Sequence, residues 1–141
     1  MKFLESTYSD YGTSVVWIEH LKQKFKGSAR LHPEDADRAS ELVGGRIAET
    51  RATIEALKYE HKLAKEESEI IRKFVKKCEE YKNFDKTSPT AKAMYRQLGL
   101  KIKKVNKLAD TINDLMIHLQ REIIRRDVLL NKRKETKDKV D

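Results

Sequence analysis

Cysteine occurs once in these 141 residues, proline twice and glycine five times, and aromatic residues make up 7% of the chain. Each scarcity excludes something. The one thiol, Cys78, cannot close an internal disulfide, and it falls on the apolar side of a helical pattern, where a buried and inert thiol is the ordinary outcome. So few glycines and prolines, with charged and apolar residues at 38% each, fit long surface-rich helices better than a sheet protein or a disordered tail. The start, Met1-Lys2-Phe3-Leu4, turns polar at Glu5-Ser6-Thr7, and the longest apolar run elsewhere is Val15 to Ile18. Neither a secretory leader nor a membrane span is expected, and the setting is read as intracellular and cytoplasmic.

Catalytic chemistry is missing as well. The histidines, His20, His32, His61 and His118, form no His-x₃-His pair and no Glu-x-x-His repeat, so no metal site is expected. Gly44-Gly45-Arg46 lies in a helical pattern without a preceding strand and lacks the Gly-Lys-Ser/Thr ending of a phosphate loop. The paired acids Glu66-Glu67 and Glu79-Glu80 sit among lysines, as on a solvated helix face. Nothing supplies a nucleophile, a base and an oxyanion group in one place. No catalytic residue, cofactor or small-molecule substrate is assigned, and an enzyme is not expected.

What the chain does contain is helical pattern, arranged about the connector Asn83-Phe84-Asp85-Lys86-Thr87-Ser88-Pro89. Ser88 suits a helix N-cap and Pro89 the first helical position, where a missing N–H costs nothing. Helices are expected over 34–82 and 89–137, each about 70 Å long at the α-helical rise. Pro33, Glu34, Asp35 and Asp37 mark the start of the first, with acids against the positive end of its dipole. Gly44-Gly45 together cost about 2 kcal/mol relative to alanines and, like Gly99, are candidate kinks. A four-three spacing through Ser40, Val43, Ile47, Thr50, Ile54, Leu57, His61, Ala64, Ser68, Ile71, Val75 and Cys78 reads as a heptad seam. It is matched by a stronger one through Leu98, Ile102, Val105, Ala109, Ile112, Met116, Leu119, Ile123 and, after Arg126, Leu130. Ahead of both, Val15, Ile18, Leu21, Lys22 and Phe25 mark one face of a short helix over 13–26.

The expected fold is therefore all-α. It is a single domain, residues 1–141, built as a long antiparallel, coiled-coil-like helical hairpin with the short N-terminal helix packed at its base. The alternative is a compact bundle of four or five helices, kinked at the glycines. The series Ala36, Ser40, Gly44, Ala48, Ala52 and Ala56 forms a ridge of small residues, on which the N-terminal segment with Trp17 and Phe25 is expected to fold back.

Function follows from what a short N-terminal segment cannot cover. The far end of the hairpin is apolar on both arms, and Ile70, Phe74, Tyr81, Met94, Leu98 and Ile102 are the candidate protein-interface residues. A non-enzymatic interaction protein is the leading expectation: an assembly subunit, adaptor or inhibitor binding a protein partner or a second copy of itself. The alternative is a nucleic-acid-associated accessory protein. Most of the net charge of +8 falls after residue 82, and no acid occurs between Lys86 and Ala109. Arg96, Lys101, Lys103, Lys104 and Lys107 are the candidate phosphate contacts. Few aromatics accompany these cations, so base reading and membrane-surface binding are not expected.

Overall fold

The computed structural model describes residues 1–9, 12–30 and 38–140, with the helical side chains described at 41–129, 131 and 132. In chain order it contains β1 (Lys2–Tyr8), β2 (Thr13–His20), β3 (Gln23–Arg30), α1 (Arg38–Glu79) and α2 (Pro89–Val140). The strands form one antiparallel sheet in the order β1-β2-β3. The all-α expectation is overturned: the segment expected as a helix over 13–26 is a β-hairpin. The fold is mixed α and β, neither a coiled-coil hairpin with an added helix nor a four- or five-helix bundle.

Two periods compete in this segment. Val15, Ile18, Leu21, Lys22 and Phe25 lie three or four apart and imitate a helix face, but the stretch also alternates, and the alternation governs the fold. Ser14, Val16 and Ile18 are buried, while Thr13, Val15, Trp17 and Glu19 are only half-buried. β-Branched Val15, Val16 and Ile18 and broad Trp17 fit a pleated surface better than a helix. The reversal carries no Asn-Gly or Asp-Gly signal. It falls on Leu21-Lys22, at φ of 51° and 63°, between the paired residues His20 and Gln23. These are the left-handed values that a two-residue type I′ hairpin demands, on residues that do not favour them. Register here is set by the buried face rather than by turn chemistry.

The chain divides into two compact units, one of residues 1–57 with 112–141, the other of residues 58–111. In the first, Val16, Ile18 and Ala29 of the sheet meet Ile47, Ala48, Ala52 and Ala56 of α1, and Phe25, Val43, Leu119 and Ile123 pack around them. The ridge of small residues does receive the N-terminal segment, but as strands. A Cβ at Gly27 would collide with the Ala48 carbonyl oxygen and the Ala52 amide nitrogen, so β3 lies directly on the α1 backbone. Arg51 Nη1 donates to the Ser28 carbonyl oxygen (2.7 Å), tying the edge strand to the helix. Within α2, the buried carboxylate of Glu122 lies 3.8 Å from Arg125 and 4.0 Å from His118.

This part of α1 buries the small-residue ridge together with part of the heptad seam. Ala48, Ala52 and Ala56 are fully buried and the seam residues Ile47 and Ile54 are buried with them, whereas the seam residues Thr50 and Leu57 are half-buried. Both helices run unbroken through the glycines at 44, 45 and 99. The expected helix start at Pro33, Glu34, Asp35 and Asp37, and the ridge position Ala36, lie outside the described residues; so do the side chains of Ser40 and Leu130.

Two substitutions test this geometry by urea denaturation. Gly27→Ala is expected to destabilise by at least about 1–3 kcal/mol, because backbone rather than a movable side chain opposes the new methyl. Lys22→Gly is expected to stabilise by about 1 kcal/mol, by relieving a left-handed φ.

Candidate functional site

The second unit contains the end of α1, the connector and the start of α2. Its local order begins with short-range polar chemistry. Asp85 Oδ1 accepts from the Thr87 amide (2.9 Å) and the Thr87 hydroxyl (2.6 Å), closing a small turn. These bonds hold the Asp85 carboxyl below its ordinary range, the hydroxyl contributing most. Ser88 then caps α2. Its Oγ accepts from the Ala91 amide (3.2 Å) and its carbonyl from the Lys92 amide (3.0 Å), while Pro89 occupies the first helical position.

The arms pair antiparallel beyond this turn, with Glu79 near Tyr95, Glu67 bound to Lys101 and Glu60 near Lys104. Ala64, Val75 and Ala91 are buried between them, and Phe84 folds back from the connector to meet Tyr95 edge-on at 6.5 Å. The Tyr95 phenol is pushed above its ordinary range by desolvation, then by the charge and hydrogen bond of Glu79.

This packing separates the expected interface residues into two groups. Met94, Leu98 and Ile102 are half-buried along the arm-to-arm contact, whereas Ile70, Phe74 and Tyr81 stay outside at 68%, 60% and 74% exposure. Phe74, Tyr81 and Met94 come together as walls of an open groove of about 550 Å³, whose other walls include Cys78, Phe84 and Ala91. Ile70, Leu98 and Ile102 do not line it. Phe84 was not among the expected residues; an aromatic between two turn-forming stretches was the available signal. Cys78 is a free thiol, half-buried in the groove wall.

The expected phosphate contacts divide as well. Lys101 donates to the Glu67 carboxylate, whose pKa this hydrogen bond and the lysine's charge lower, and Lys104 lies 3.8 Å from Glu60. Arg96, Lys103 and Lys107 are exposed on the same arm. Two of the five cations are thus turned across the hairpin toward acids of α1.

Protein families, curated proteins and solved structures yield no match to this chain. Among the described residues, no three His, Cys, Asp or Glu side chains are grouped so as to hold a metal ion. Nor is any described helix long and apolar enough to cross a membrane.

The connector makes a pH prediction. A carboxyl whose folded pKa is depressed stabilises above its unfolded pKa, and that contribution is lost as pH falls through the folded value. The Thr87 amide proton resonance is therefore expected to titrate in acid with a midpoint below that of an ordinary aspartate, and Asp85→Ala to abolish the titration. Ser88→Ala is expected to cost about 1 kcal/mol in urea denaturation through loss of the cap.

Proposed function

We infer that this chain is a non-enzymatic protein-interaction module, an assembly subunit, adaptor or inhibitor, working in the cytoplasm. Its apolar groove at the end of the helical hairpin takes a protein partner or a second copy of the chain. One observation carries this: Phe74 and Tyr81 are 60% and 74% exposed on the rim of a groove walled by Met94, Phe84, Cys78 and Ala91. Aromatic side chains that fill a neighbour's pocket dominate the energetics of protein contacts, and burying one such ring contributes about 1.5–3 kcal/mol. An amphipathic helix bearing apolar residues at i, i+3 and i+4 has the chemistry and width to occupy such a groove.

The basic arm supports a phosphate-binding reading less well, because Lys101 and Lys104 already face Glu67 and Glu60. Light scattering at low and high salt, with and without DNA or RNA, separates the two. The expected result is a mass above that of one chain, or of one chain with its protein partner bound, that persists at high salt. Phe74→Ser with Tyr81→Ser is expected to weaken this association at least about tenfold, and Lys103→Glu with Lys107→Glu to leave it unchanged. A single chain whose mass rises only with nucleic acid at low salt, and no longer rises once Lys103 and Lys107 are changed to Glu, reverses the assignment.

A further inference from the structure

The sheet has a second face. Ser14, Val16, Ile18 and Ala29 point into the core with α1, so the alternate residues of each strand lie on the opposite side. The strand register aligns Trp17 with Lys26 and Glu5, Val15 with Ser28 and Thr7, Thr13 with Arg30, and Glu19 with Lys24 and Lys2. On the flanking strands, Lys2, Glu5, Thr7, Lys24, Lys26, Ser28 and Arg30 are all exposed. A solvated face of an antiparallel sheet ordinarily alternates to polar residues. Here the middle strand places Trp17 and Val15 at its centre.

The surroundings of that tryptophan are cationic. Lys24, Lys26 and Arg30 occupy one face of β3, a strand with no acid, and Lys26 Nζ lies 5.9 Å from the centre of the Trp17 ring. Alternate residues on a strand are about 6.8 Å apart, so these side chains form a row along the edge beside an aromatic platform. Glu19 opposite Lys24 and Glu5 beside Trp17 leave the face with a cationic excess concentrated on β3. An aromatic surface bordered by a line of cations is what an unpaired nucleotide strand requires: a ring to stack on a base and ammonium or guanidinium groups to meet successive phosphates. A duplex keeps its bases stacked inside and offers nothing to Trp17.

We propose that the outer face of the sheet binds single-stranded nucleic acid, with Trp17 stacking on a base and Lys24, Lys26 and Arg30 contacting phosphates. This site shares no residue with the hairpin groove or with the basic arm of α2. The Lys26 ammonium, which sits over the ring in the free protein, moves to a phosphate when a base takes the ring face.

Trp17 is the chain's single tryptophan, so it reports directly on its own site. Titrating the full chain with oligothymidylate and oligouridylate is expected to quench its fluorescence, with an affinity that falls steeply as salt rises. A duplex of equal length is expected to quench little. Trp17→Ala is expected to weaken binding of a labelled oligonucleotide about tenfold, and Trp17→Phe to retain most of it. Lys24→Glu and Arg30→Glu, on exposed positions outside the core, are expected to weaken binding at least tenfold even where Trp17→Ala fails to fold. Lys103→Glu with Lys107→Glu, and Phe74→Ser, are expected to leave it within twofold. The proposal is overturned by absence of quenching with every single strand, by equal quenching with duplex, by quenching with anionic phospholipid vesicles alone, or by loss of binding only when the α2 lysines are changed.

Discussion

The first unit depends on the contact of one strand's backbone with one helix's backbone. At Gly27, β3 approaches Ala48 and Ala52 so closely that even a methyl group has no room. Such an approach needs small side chains on both partners, and the spacing of four through Gly44, Ala48, Ala52 and Ala56 supplies them along the helix. Gly44 makes a second close approach, where a Cβ would stand 2.7 Å from Ser14 Oγ. Alanines bury little area, but close approach lets the larger side chains at the margins, Ile47, Val16 and Ile18, become almost completely enclosed.

From that contact follows which face of the sheet is covered. A three-stranded sheet resting on helices by one side has one dry face and one wet face, and each strand sorts its side chains accordingly. Trp17 falls on the wet side by strict alternation from Val16 and Ile18. β1 reinforces the asymmetry: it is an edge strand, bulged between Phe3 and Glu5, and nearly all of its residues are exposed. The second unit solves a different problem. Its arms bury Ala64, Val75 and Ala91 between them, and the wider apolar surface that remains, Ile70, Phe74, Tyr81 and Leu100, is more than two helices can enclose. Local polar bonds, Asp85 with Thr87 and Ser88 with Ala91, order the connector without drawing on that surface.

Legibility in the sequence differed between the two units for a physical reason. The hairpin was readable because its signals are local: Ser88-Pro89 states a helix start within two residues, and a period of three to four sustained over many turns has no competing interpretation. Ile70, Phe74 and Tyr81 are surface candidates in the sequence because a stripe wider than one seam is visible in a list of letters. That Met94, Leu98 and Ile102 are half-buried is not, since it depends on the rotation of α2 against α1. Likewise, the pairing of Lys101 and Lys104 with Glu67 and Glu60 joins residues far apart in the chain, and no local pattern encodes it.

The N-terminal third was misread because a segment of about 14 residues holds too few turns for a helical period to be told from alternation. The turn that would have decided it, Leu21-Lys22, carries none of the residues that usually announce a type I′ hairpin. The small-residue ridge was visible, and so was the expectation that the N-terminal segment would lie on it. By itself the sequence determined the two long helices, their connector, the basic character of the last arm and the close-packing stripe, because each is a property of neighbouring residues. Only the tertiary structure decided that a sheet lies on that stripe, because over residues 13–26 a helical spacing and an alternation coexist, and the close fit of Gly27 against Ala48 and Ala52 joins residues far apart in the chain.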